Sequence, residues 1–160
     1  MCFYILLTFK TITMDLSKIL SISGKNGLYK LITQGKNNFI VESLEEGKRI
    51  PTFSHDGIST LDNISIFTED EDIALGKVFQ EIFKKENGAQ TPDILNDNAK
   101  LKKYFEEVLP NYDKERVYVS NIKKVLVWYN ILAKHNLIDL DENTDSESVE
   151  QTEIEQSDKE

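Results

Sequence analysis

Between Leu28 and Leu44 apolar and polar positions alternate. LYKLITQ and NFIVESL flank Gly35-Lys36-Asn37, which predicts two antiparallel strands joined by a short glycine-containing turn. EEGKR marks the next turn. IPTF then reads as a third strand whose Pro51 belongs at an edge or bulge, because proline cannot donate to a ladder. After a turn at HDG, NISIFT reads as a fourth strand with Ile64 and Ile66 on one face. Upstream, Leu16, Ile19 and Leu20 share a face if Asp15–Ile22 is a short helix, with Gly24 as its cap and Asn26-Gly27 as turn residues. Four or five short strands so closely spaced predict a small, strongly bent, SH3-like antiparallel β-subdomain over 14–68. Both faces of the first two strands carry apolar residues, Leu28 and Ile32 against Tyr29 and Leu31, Phe39 and Val41 against Ile40 and Leu44. One face can fill the interior; the other calls for a cover.

From Thr68 the period changes to 3.6 residues. TEDEDIALGKVFQEIFKKENG predicts a helix opened by a capping box of Thr68 with Glu71 and stopped at Gly88. Its buried stripe is Leu75, Val78, Phe79, Ile82 and Phe83. A second helix is predicted from about Asp97 to Leu109, ahead of Pro110, and a short extended piece at Val117–Val119. Ser120 is the predicted cap of the last helix, which carries two apolar stripes. Ile122, Val125, Leu126, Tyr129 and Leu132 form one; Val127, Trp128 and Ile131 form the other. A helix apolar on two sides sits between neighbours. Burial of Trp128 on the outer sheet face would explain the apolar Tyr29, Leu31 and Ile40. Residues 69–138 thus read as a three-helix subdomain, and the overall class as α+β.

Charge divides the chain. The net charge is -9, yet 139–160 holds ten acidic residues and one basic, leaving eighteen of each sign in 1–138. The neutral body argues against non-specific duplex binding, which draws on an excess of Lys and Arg. The acidic, Ser- and Thr-rich stretch 139–160 predicts a disordered tail. No run reaches the ~20 apolar residues that span a bilayer, and the mean hydropathy is -0.40. The opening MCFYILLTFKTIT has no preceding basic residue and no cleavage-site pattern, whereas MDLSKIL at Met14 reads as a start. Residues 1–13 are therefore expected to be a non-native upstream extension rather than a membrane-anchoring leader.

Little catalytic chemistry is on offer. SGKNG lacks the glycine five residues before its Gly-Lys pair, where Ile19 stands, and has Asn26 where a phosphate loop has Ser or Thr. It reads as a turn. Cys2 is the single cysteine, so no intrachain disulfide or thiolate zinc site can form; this fits a reducing cytoplasm. His55 lies in a turn, and His135 ends the last helix, where an imidazolium favours the negative dipole end. Asp93, Asn96 and Asp97 lack the glycine of an EF-hand loop, and the paired carboxylates read as solvated faces. No enzyme, metal or cofactor is expected.

Binding is better supplied. Lys25, Tyr29, Lys30, Lys36 and Phe39 interleave lysines and aromatics along the strands, and with Trp128 they form the candidate binding surface. LSKILSISGKNGLYKLITQGKNNFIVESLEEGKR, ALGKVFQEIFKKENG and YFEEVLPNYDKERVYVSNIKKVLVWYNIL, followed by an acidic tail, resemble an uncharacterised family typical of Bacteroidetes. That family is known as domains of unknown function, a small N-terminal one and a helical C-terminal one. The resemblance covers about Met14–Asp139 and implies no activity, cofactor or catalytic residue. The expected function is that of a cytoplasmic, non-enzymatic binding or adaptor protein with an unknown protein partner. The alternative is a nucleic-acid-binding regulator using the lysine and aromatic face.

Overall fold

The computed structural model of the protein describes residues 16–138. The segment 1–13, expected to be an upstream extension, and the expected disordered tail 139–160 lie outside the described residues. The fold is α+β. Five strands form the main sheet: β1 (Ile19–Ile22), β2 (Tyr29–Gln34), β3 (Asn38–Ser43), β4 (Arg49–Phe53) and β5 (Ile58–Thr60). Two further short strands, β6 (Ser65–Ile66) and β7 (Ile73–Ala74), pair with each other. Three helices follow: α1 (Leu75–Glu86), α2 (Asn98–Val108) and α3 (Val119–Lys134).

The main sheet is antiparallel throughout, in the order β4-β3-β2-β1-β5. Its last strand returns beside its first. β4 and β5 are the two edges, so the ladder stays open instead of closing into a hydrogen-bonded barrel. Pro51 sits in edge strand β4 opposite Ile40, where its missing N–H costs no ladder bond on the free side. The β2–β3 register slips between Leu31 and Thr33, a bulge that takes up Ile32 and bends the sheet.

The expected helix at Asp15–Ile22 is instead one 3-10 turn, Leu16–Lys18, running straight into β1. β1 is laddered on both sides, Leu20 standing between Tyr29 and Thr60. Eight residues make a marginal helix, and two ladders outweigh it. Both faces of β1 are buried, Ile19 toward the helices and Leu20 within the sheet. Such a strand has no visible alternation. SGKNG is a turn between β1 and β2: the Lys25 N–H donates to the Ile22 carbonyl at 3.1 Å. Gly24 and Gly27 adopt φ of 76° and 84°, the left-handed region where a Cβ is costly.

α1 starts six residues later than the pattern predicts, with Ala74 and not Thr68 at its cap position. The Thr68 hydroxyl donates to the Glu71 carbonyl and accepts from the Asp70 N–H at 3.3 Å, which closes a turn rather than capping a helix. Ile73–Ala74 then pair with Ser65–Ile66, so NISIFT contributes to this small ribbon and not to the main sheet. Val117 is buried in a turn rather than a strand, and Tyr118, not Ser120, occupies the cap position of α3. α2 begins one residue after the expected Asp97, which instead caps it, accepting from the Ala99 and Lys100 N–H groups at 3.1 Å each.

Two apolar clusters result. The larger gathers Ile19, Leu28 and Leu61 from the β half with Leu75, Phe79 and Ile82 of α1, Phe105 of α2, and Leu126, Tyr129 and Leu132 of α3. The smaller is internal to the sheet: Leu20, Ile22 and Val41, with Tyr29, Leu31 and Phe39 packed against them. Tyr29 and Leu31 are thus covered by their own sheet, not by Trp128. Trp128 is half-buried at the margin of the larger cluster, beside the segment that carries β6.

Candidate binding surfaces

Period-two alternation in β2 turns Tyr29 and Leu31 into the sheet's own cluster and Lys30 to the opposite face. Phe39 joins Tyr29 on the inner side. Lys25 lies exposed in the β1–β2 turn and Lys36 in the hairpin loop. The six residues expected to share a surface therefore divide among several places. Tyr29 and Phe39 both pack against the sheet's own cluster, while Lys25, Lys30, Lys36 and Trp128 point from separate regions.

Two of the concavities among the described residues take in Lys30 and Trp128. The first is a cleft of about 500 Å³ between the outer face of the sheet and the end of α3. Leu16, Ile19, Leu44, Leu132 and Leu137 give it an apolar floor, with Lys18, Lys30 and His135 around it. Glu42 is its one acidic lining residue, and the Arg49 guanidinium holds it at 2.9 Å.

The second, of about 250 Å³, lies between the β6 segment and α3. Ile64, Ile66, Val117, Val125 and Trp128 line it, with Lys124 on its rim. Phe67, also in this lining, is 41% exposed, and the Arg116 guanidinium lies over its ring at 4.5 Å. Arg116 is held by Asp113 at 2.7 Å. Tyr118, next to Val117, is 66% exposed. Alternation in the sequence did not reveal this surface: Phe67 and Tyr118 were read within extended pieces, but both lie in irregular segments where alternation does not mark inside from outside.

The groups whose titration is displaced serve the scaffold. A hydrogen bond from Arg116 holds the Asp113 carboxyl below the usual range. The Phe53 backbone N–H, then the Thr52 hydroxyl, does the same for Asp56. Burial, then the hydrogen bond to Glu86, raises the Tyr104 phenol. Among the described residues, no buried side-chain polar atom lacks a partner and no three His, Cys, Asp or Glu side chains gather in a metal-binding group. No helix there is long and apolar enough to cross a membrane.

Residues 16–61 match a domain of unknown function (DUF5606) and residues 64–132 a second domain of unknown function (DUF6852). No curated protein matches the chain. The fold is similar to the solution NMR structure of a Bacteroides vulgatus protein, a structural-genomics target, at a TM-score of 0.63 and 45% sequence identity. The match covers 78% of this chain and 90% of that one. The chain therefore belongs to the same family as this Bacteroides protein, an uncharacterised family of Bacteroidetes domains of unknown function.

Proposed function

We propose that the protein is a cytoplasmic, non-enzymatic binding module that takes a protein segment in the groove between the β6 segment and α3. The observation that carries this reading is the exposed aromatic group beside the groove: Phe67 under Arg116, Tyr118, and Trp128 in the wall. Trp, Tyr and Arg dominate the energetically important positions of protein interfaces. An apolar floor with Arg116 and Lys124 at its margin suits an apolar segment flanked by acidic side chains.

The nucleic-acid reading draws less support. It needs aromatic rings free to stack on bases, and Tyr29 and Phe39 pack into the sheet's own cluster.

Selection of a random displayed-peptide library against the full chain tests the proposal. Enriched peptides should combine an apolar anchor with acidic neighbours, and Trp128→Ala or Arg116→Glu should weaken their binding at least about tenfold, roughly one hot-spot residue. Peptides without that composition, or binding indifferent to both substitutions, would overturn it. A parallel titration with pooled oligonucleotides at two salt concentrations separates the alternative, whose binding falls steeply with salt.

A further inference from the structure

One edge of β6 is taken and the other is taken only in part. The Leu75 N–H donates to the Ile64 carbonyl at 3.0 Å, and Ile66 pairs with Ile73, so Ile64 and Ile66 turn their backbone groups toward β7. Backbone groups alternate in direction along an extended segment, so those of Ser65 and Phe67 face the opposite way. On that side the Phe67 carbonyl accepts the Asp113 N–H at 2.9 Å, and the Glu69 N–H donates to the Asn111 carbonyl at 2.9 Å. Residues 111–113 thus run antiparallel beside the segment, with Thr68 opposite Tyr112. This stretch ends before it reaches Ser65. The Asp113 carboxylate accepts the Glu115 and Arg116 N–H groups at 2.9 and 3.1 Å, and its carbonyl accepts the Val117 N–H at 2.9 Å, which turns the chain away.

Ser65 is therefore the next position of a ladder that no strand continues. Among the described residues no hydrogen bond takes up its N–H or its carbonyl. Ile64, Ser65, Ile66 and Phe67 all line the Trp128 groove, although neighbouring side chains of an extended segment point to opposite faces, so it is the segment's edge that borders the groove. We infer that the partner enters this groove as an extended protein segment, which continues the ladder left by residues 111–113 and exchanges two backbone hydrogen bonds with Ser65. This rests on the reading of the Trp128 groove as the binding site and adds the partner's conformation and pattern. A helix has spent its backbone groups internally and offers Ser65 none; an extended chain presents them to one side at every second residue. The partner residue opposite Ser65 lies on the exposed face with Phe67, and its two neighbours point toward the apolar floor with Ile64 and Ile66. The segment is accordingly apolar at alternate positions, with acidic residues beyond them for Lys124, the one charged residue lining the groove.

Peptides selected from the displayed library, bound to the full chain, carry the test. Their apolar residues should recur at every second position. Methylating their amide nitrogens one at a time should weaken binding at least about fivefold at one residue and much less at its two neighbours, whose N–H groups point away from β6. In the protein, Ser65→Pro deletes the donor. The β7 ladder loses nothing, because that N–H points away from it, and Ile64 already holds φ -94° and ψ 133°, the extended form a residue before proline adopts. Ser65→Pro should weaken the same peptides at least about threefold, while Ser65→Ala, which keeps the backbone groups, binds like the wild type. Should Ser65→Pro not fold, the methylation series decides alone. Apolar residues at helical spacing, or peptides that need Trp128 but ignore both amide methylation and Ser65→Pro, would overturn the extended docking and leave the groove reading standing. Enrichment of no peptide, or binding indifferent to Trp128→Ala, would overturn the groove reading and this inference with it.

Discussion

The side-chain amide of Asn130 clasps Thr91 from both ends. Its Oδ1 accepts the Thr91 backbone N–H at 2.8 Å, and its Nδ2 donates to the Thr91 hydroxyl at 2.9 Å. One residue earlier, the Tyr129 hydroxyl donates to the Ala89 carbonyl at 2.9 Å. Adjacent residues of α3 thus fasten the α1–α2 connection, a proline-containing stretch with little apolar content. Asn130→Ala strands the buried Thr91 N–H and should cost about 1–3 kcal/mol in chemical denaturation. A change within error would show that water replaces the clasp.

Trp128→Ala separates scaffold from surface. A fully buried Trp cut to Ala costs about 3–5 kcal/mol. Because Trp128 is half-buried in a groove wall, the expected cost is about 1–3 kcal/mol, with a single unfolding transition retained. Two resolved transitions in urea would show that the β half and the helices unfold independently.

Alkaline pH probes the interior. Burial, with Glu86 adding to it, pushes the Tyr129 phenol up to about 12, and Tyr104 shifts the same way. The folded chain holds these protons more tightly than the unfolded one, whose phenols ionise near pH 10. This contribution to stability is intact below pH about 10 and is lost as pH rises through about 12. Absorbance at 295 nm should show at least two tyrosines, Tyr104 and Tyr129, ionising only as the fold is lost. Ionisation of every tyrosine ahead of unfolding would contradict it.

At the acid end the Asp97 cap is the group to watch. The Lys100 backbone N–H, foremost among its partners, holds the Asp97 carboxyl below its ordinary value. Its contribution is present above the ordinary carboxylate range and disappears as pH falls through the lowered value. Asp97→Ala should lower the melting temperature at neutral pH, while Asp97→Asn should retain most of it, since either oxygen can cap α2. Equal melting of the wild type and Asp97→Ala at pH 7 would dismiss the cap.

Where one face of an element is wet, the sequence was readable. The β2–β3 hairpin, the edge strand with Pro51, and α2 follow from period and turn chemistry. Reading failed where burial hid the period or where a short-range bond had two uses. Ile19–Ile22 is buried on both faces and so mimicked a helix. The Thr68 hydroxyl, three residues before Glu71, closes a turn as readily as it caps. For the candidate surface, both faces of β2 and β3 offered apolar side chains, and only the bend of the sheet chose Tyr29 and Phe39 for the inside. Phe67 and Tyr118 fell in stretches read as extended that the structure leaves irregular.

The larger apolar cluster disregards the line between the two named domains: Leu28 and Leu61 come from one, Phe79, Phe105 and Tyr129 from the other. That has a genetic consequence. A recombination breakpoint between 61 and 64 would deliver each half to its new neighbour with a bare apolar flank, a substrate for proteolysis and clumping. Selection then moves the two as a linked pair, and the unit of inheritance is the whole stretch that shares the interior.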